Sequence, residues 1–168
     1  MEQNIKSWLS AVVEALLILL ILYVVCFPAK VDGSSMEPGI LDGDTLCISR
    51  LAAWMGWYDT GDIITFTKEV DGKSIDMVKR VIALEGDTVG IENGVVTVNG
   101  KELEETYIAG ETEGIVWMTV PPGEVFVMGD NRPASTDSRT FGTIDADDVQ
   151  GKVIFRLFPL SRFGPVGE

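Results

Sequence analysis

The chain has 168 residues, enough for one modest domain and one added segment. It carries 13 Lys and Arg against 26 Asp and Glu, a formal charge of −13, which argues against a nucleic acid held by a basic patch. It has no histidine, which excludes a Ser-His-Asp triad, a Cys-His pair and any His-ligated metal site.

Residues 1–7 read as a short N-terminal tail. Trp8 to Phe27 (WLSAVVEALLILLILYVVCF) is a 20-residue apolar run, long enough as a helix to cross a hydrocarbon core of about 30 Å. It is expected to be a retained anchor, because the following VVCFPAKVDG offers no small-x-small cleavage site. Glu14 is the one charge inside the run, where it must snorkel, protonate or face a partner. Lys6 before the run is balanced by Lys30 after it, so flanking charge does not set the orientation. Cys26 and Cys47 form no CxxC motif and are expected to be unpaired thiols.

From Pro28 onward the pattern is β-like. GDIITFTKEV, SIDMVKRVIALEGD, GVVTVNG, GEVFVMGD and GKVIFRLFPL are short runs rich in β-branched and aromatic residues, punctuated by Gly, Asp, Asn and Pro. Asn93-Gly94 and Asn99-Gly100 predict hairpin turns, since both residue types accept positive φ. Leu51–Tyr58 (LAAWMGWY) holds two Trp, a Met and a Tyr. It reads as a core strand or loop, or as an edge lying at the headgroup level of a membrane.

Three stretches carry groups able to do chemistry. Ser35 lies in Gly33-Ser34-Ser35-Met36-Glu37-Pro38-Gly39, a tight turn that leaves a hydroxyl out of any sheet ladder. It is either a plain turn residue or a nucleophile, and it lies within about 29 Å of Phe27 even on an extended chain. Lys79 sits in a strand pattern where alternation groups it with Met77, Val81 and Ala83. Buried there, its amine would lose proton affinity and could act as a base; in water it would snorkel as an ordinary lysine. Arg80 points to the other face as a structural charge. Gly129 to Arg139 (GDNRPASTDSR) is a dense polar run whose members can satisfy one another or simply face solvent. Asp59-Thr60-Gly61 is the triplet of aspartic proteases, but one copy would require a homodimer.

Taken together, these pieces resemble bacterial type I signal peptidases, in particular the short, single-anchor Gram-positive form. The resemblance runs over nearly the whole chain in order: the anchor; Gly33 to Pro38; Gly61 to Phe66; Val78 to Asp87; then Gly129 to Arg132 with Ser135, Asp137, Ser138, Arg139 and Gly142. It implies Ser35 as nucleophile and Lys79 as general base. It also implies Ser135 as the serine that bonds and orients the lysine, and Asp137 with Arg139 as an ion pair bracing that loop. Met36, Arg80, Asp130 and Asn131 fall in the same motifs as supporting residues. The sequence departs from the family at Gly33, which removes a side-chain oxyanion donor found in some members. It departs also at Gly39, Glu85, Pro133 and Ala134.

The implied fold is mainly β: a transmembrane helix (8–27), an antiparallel catalytic core (28–87 and 125–168) and a small inserted β lobe (88–124). The implied activity is cleavage of signal peptides from exported preproteins with small residues before the cut, at the outer face of the plasma membrane. No cofactor or metal is expected. The lipid bilayer is an expected partner, the protein export machinery a candidate one. The competing readings are a non-catalytic tethered binding domain, a single-DTG aspartic dimer, and a soluble self-cleaving repressor, against which the apolar run and acidic surface argue.

Overall fold

The computed structural model of the chain describes residues 2–70 and 72–166. Met1, Asp71, Gly167 and Glu168, which fall in the expected tail and core segments, lie outside the described residues, as does the side chain of Lys6. The chain opens with helix α1 (Glu2–Val25), which takes in the segment expected as a tail and stops short of Phe27. Its stretch Ser7–Val25 has a mean hydropathy of 2.5 and is not buried, although Tyr23 near its end meets Phe27 and Arg50. Within it, Ser10 Oγ donates to Glu14 Oε1 at 3.0 Å.

Strands follow as β1 (Phe27–Lys30), β2 (Thr45–Ser49), β3 (Ile63–Val70) and β4 (Lys73–Ala83). Next come β5 (Thr88–Glu92), β6 (Val95–Val98), β7 (Lys101–Glu102) and β8 (Val116–Thr119). The last are β9 (Glu124–Met128), β10 (Ile144–Asp145) and β11 (Val149–Phe158). Among the described residues they form a large antiparallel sheet, β1-β2-β11-β3-β4-β9-β10, and a small one, β7-β6-β5-β8. The hairpins on either side of β6 turn at Asn93-Gly94 and Asn99-Gly100, all four residues at positive φ.

Alternation along β3 sends Ile63 into one core with Met36, Leu46 and Val153, and Ile64 and Phe66 into another with Val81, Val127 and Ile144. The small sheet closes a third core, in which Val89, Ile91 and Val96 meet Phe126 and Met128 of the large sheet. Ala83 does not stay on the Lys79 face as strict alternation predicts. The register against β9 shifts between Val81 and Ala83, and Ala83 packs beside Ile82 in the third core.

Two further expectations are corrected. Cys26 and Cys47 are not free thiols but a disulfide, with Cα atoms 5.1 Å apart. The pairing of Pro28 with Cys47 across β1 and β2 brings the end of α1 over β2 and makes the bridge possible. Leu51–Tyr58 is not a core strand. Its first part is a short helix, α2 (Arg50–Trp54), capped by Ser49, whose side chain accepts from Ala52 N–H. Only Ala52 of this segment is buried, while Trp54, Met55 and Trp57 are exposed.

Candidate active site

Ser35 leaves the sheet just after β1. Val31 N–H donates to Asp44 O at 2.8 Å and Gly33 N–H to Asp42 Oδ1 at 2.9 Å, fixing the loop before it. Gly33 adopts φ 102°, a conformation that favours glycine, so a side-chain donor at that position would come with backbone strain. Immediately after Ser35, Met36 is 2% exposed and plugs the core beside Val31, Ile40 and Leu46. A half-buried serine is thereby held up by its buried neighbour.

Lys79 comes from the middle of β4, opposite Ile64 of β3, and is 4% exposed. Its Nζ lies 2.6 Å from Ser35 Oγ. Burial among apolar groups disfavours the ammonium and lowers the amine's pKa from 10.5 to about 8. Asp137 and Asp130 act against that drop, and Arg139 adds to it.

The polar run after β9 wraps this pair. Asn131 N–H donates to Ser35 O at 3.0 Å, and its side-chain amide donates to Ser34 O at 3.1 Å. Asp137, fully buried, caps the short helix α3 (Ser138–Phe141) and accepts from Arg139 Nε and Nη2, both at 2.8 Å, and from Gly129 N–H at 3.0 Å. Burial alone would raise the Asp137 carboxyl, but these donors outweigh it and hold it below the usual carboxylate range. Arg80 and Asp130 form a buried two-pronged pair at 2.8 and 2.7 Å, and Arg80 also donates to Gly61 O.

The bond from Ser135 to Lys79 implied by the resemblance is not formed. Ser135 Oγ is buried without a hydrogen-bond partner among the described residues. Its hydroxyl instead lies over Gly129, close to the backbone of Ser35: a Cβ on Gly129 would fall 2.2 Å from Ser135 Oγ and 2.5 Å from Ser35 O. Asp59-Thr60-Gly61 forms a turn before β3, with Asp59 N–H donating to Asp62 Oδ2 and Asp59 itself exposed. Its carboxylate therefore serves no buried dyad.

Sequence reasoning missed Glu105, Tyr107 and Thr112, which lie between β7 and β8. Arg132 reaches both Glu105 oxygens and donates to Thr112 Oγ1 at 2.6 Å. Tyr107 donates to Glu105 at 2.9 Å, and the Arg80 guanidinium lies 3.8 Å from the centre of its ring. No periodicity or motif marks these residues in the sequence.

Beside Ser35 and Lys79 opens a groove of about 640 Å³. Ala29, Val31, Met77 and Val78 line it, together with Phe27 and Arg50, which contact each other beside the end of α1. The arrangement is suited to attack by a serine oxygen on an extended chain, with an amine as the base.

A model of the family described as signal peptidase, peptidase S26, matches residues 5–158. The chain is 36% identical to a probable signal peptidase I-1 of Synechocystis sp., over 99% of this chain and 87% of that protein. It is 35% identical to signal peptidase I of Bacillus licheniformis, over 96% and 92%. It is 32% identical to signal peptidase IB of Staphylococcus aureus, over 97% and 94%. A crystal structure of a signal peptidase I from Enterococcus faecalis V583 superposes with a TM-score of 0.51 at 32% identity, covering 56% of this chain and 95% of that one.

Proposed function

The chain belongs to the signal peptidase family, peptidase S26, and from that premise we propose that it is a membrane-tethered serine endopeptidase that removes signal peptides from exported preproteins, with Ser35 as nucleophile and Lys79 as general base. The observation that carries the reading is the 2.6 Å approach of a buried lysine amine to a serine oxygen. At a pKa of about 8 a useful share of that amine is neutral near physiological pH.

In the proposed reaction the neutral Lys79 amine takes the Ser35 hydroxyl proton as Oγ bonds to the scissile carbonyl carbon. The tetrahedral oxyanion is received by the Ser35 N–H, which makes no hydrogen bond among the described residues. A donor of this kind contributes roughly 3–4 kcal/mol in other proteases. The Lys79 ammonium then gives its proton to the departing amine as the C–N bond breaks. Water, deprotonated by Lys79, hydrolyses the ester and restores Ser35. Asp137 with Arg139, and Arg80 with Asp130, keep the loop and strand in register.

The groove walls of Ala29, Val31, Met77 and Val78 offer short apolar contacts, which suits small residues before the cut. The 19-residue stretch Ser7–Val25 is read as the single membrane span, with the catalytic domain on the extracytoplasmic side. The part of the groove at Phe27 and Arg50 then lies where a precursor leaves the bilayer. The test is cleavage of a membrane-inserted precursor by wild type, Ser35→Ala and Lys79→Ala. The reading requires loss of product in both variants while both remain folded. Product from Lys79→Ala at the wild-type rate would overturn the role of the lysine.

A further inference from the structure

The small sheet carries a side chain that the reaction does not use. Trp117 of β8 is 65% exposed and stands opposite Gly90 of β5, which in turn pairs with Thr97 of β6. A Cβ on Gly90 would fall 2.8 Å from the Trp117 ring and 2.5 Å from Thr97 Oγ1. The missing side chain thus lets the six-membered end of the indole reach across the neighbouring strand. Beside it opens a hollow of about 180 Å³ lined by Gly90, Glu92, Val95, Thr97 and Trp117. None of these residues lines the groove at Ser35 and Lys79. An aromatic ring laid across a strand glycine can serve merely to cover it, but here most of the indole is left in solvent.

The charge around the hollow is one-sided. From Thr88 to Glu124 the sequence has seven Glu, one Lys and no Asp or Arg. Glu105 is paired with Arg132, whereas Glu92 is exposed at the hollow. Glu92 lies two residues along β5 from Gly90, which makes it a diagonal cross-strand neighbour of Trp117. Such neighbours on one face are roughly 7–8 Å apart. Glu102, opposite Thr97, adds a second carboxylate to the same face. A guanidinium or ammonium can use both groups at once, the ring through its quadrupole within about 6 Å and the carboxylate through charge-assisted hydrogen bonds. An anionic ligand would be repelled.

The strand that presents Trp117 also has a free side. β8 ends the small sheet and pairs with β5 alone among the described residues. Edge strands are normally blunted by charge, proline or a covering segment. At the other end of this sheet β7 is Lys101-Glu102, two charged residues. Val116–Thr119 (VWMT) has neither a charge nor a proline. An extended segment laid along it would gain main-chain hydrogen bonds. The residue of that segment opposite Trp117 would project from the same face as the indole.

We propose that the β8 edge of the small sheet binds an extended, basic segment of a partner polypeptide, with an Arg or Lys side chain resting on Trp117 and pairing with Glu92. Charge complementarity selects the occupant, and the unblunted edge selects its extended form. The site is separate from the groove and stands whether or not the serine–lysine reading does.

The test uses the full chain in dodecylmaltoside micelles and the fluorescein-labelled peptide Thr-Val-Arg-Val-Thr-amide, with binding read by anisotropy. One control peptide carries citrulline for Arg, which keeps the shape and removes the charge. A second is N-methylated at its three central residues, which blocks strand pairing. Wild type should bind the arginine peptide, and both controls should bind at least about tenfold more weakly. Trp117→Leu, which keeps an apolar cover over Gly90, should weaken binding about tenfold and Glu92→Gln about threefold, with precursor cleavage unchanged in both. Glu92→Gln and the citrulline peptide leave the Trp117 packing intact, so a destabilised Trp117 variant does not blur the result. Equal affinity in wild type and both variants marks diffuse attraction to the acidic surface and overturns the site. Full-strength binding of the methylated peptide overturns strand addition. No binding of the arginine peptide up to millimolar concentration overturns the proposal outright, and binding of labelled chitotetraose in its place would assign the indole to a neutral sugar.

Discussion

Asn131 N–H donates to the carbonyl of Ser35 at 3.0 Å, so the loop after β9 grips the very peptide unit that presents the serine. That loop is in turn gripped from outside the large sheet. Ala109 exchanges backbone bonds with Asp130 and Arg132, and Glu105 pairs with Arg132. The segment between β7 and β8 is thus mechanically joined to the position of Ser35.

Glu105→Ala is expected to be severe although Glu105 touches no reacting atom. Arg132 is fully buried and Glu105 is 7% exposed. Removing the carboxylate leaves a buried guanidinium with Thr112 and Gly129 O as its remaining partners. Breaking a buried pair from one side costs about 3–5 kcal/mol. Denaturant unfolding should show a loss of that order, and cleavage should fall as Asn131 loosens. A change below 1 kcal/mol, the size of a surface pair, would contradict the brace.

Gly129→Ala tests the crowding at the centre of the site. The added methyl would meet Ser135 Oγ and the Ser35 carbonyl well inside contact distance, and the carbonyl cannot move without moving Ser35. Overpacking of this kind costs about 1–3 kcal/mol, with a larger loss in turnover expected from the displaced serine. Gly39→Ala is the control, since its nearest neighbours would lie 3.8 Å away. Thermal unfolding and turnover should be almost unchanged in that variant.

Lys79 carries a pH signature in both activity and stability. Its amine must be neutral to act, so kcat/KM should rise with pH through a limb centred near 8. The folded pKa is below the unfolded value of 10.5, so the unfolded chain binds the proton more tightly. The buried ammonium therefore destabilises the protein at pH 7, and that penalty fades as pH rises from about 8 to 10.5. Lys79→Met should be inactive and more stable than wild type at pH 7 by up to about 3 kcal/mol. The gap, read from denaturant curves, should shrink over the same pH window.

Much of this was legible before the structure. The Asn-Gly hairpins followed from the one conformation those residues accept readily, and the strand runs from their composition. Ser35 and Lys79 stood out through the ordered resemblance and then met at 2.6 Å. The misses have physical reasons. Strict alternation puts Ala83 on the Lys79 face, but an irregularity between Val81 and Ala83 breaks that alternation and turns Ala83 away. Leu51–Tyr58 reads as strand or loop by its Trp and Tyr, but Ser49 caps it into a helix and α1 fixes where it lies. Cys26 and Cys47 pair only because β1 folds back on β2. Glu105 finds Arg132 across 27 residues of chain that carry no periodic signal.

The most direct test of the account is capture of the covalent intermediate. A precursor peptide is mixed with the full-length protein, quenched in acid within one turnover and analysed by intact mass and peptide mapping. The account predicts an ester of the N-terminal fragment on Ser35, present in wild type and absent from Lys79→Ala. Product formation with no acyl group on Ser35 at any time point, or an acyl group on another residue, would contradict it.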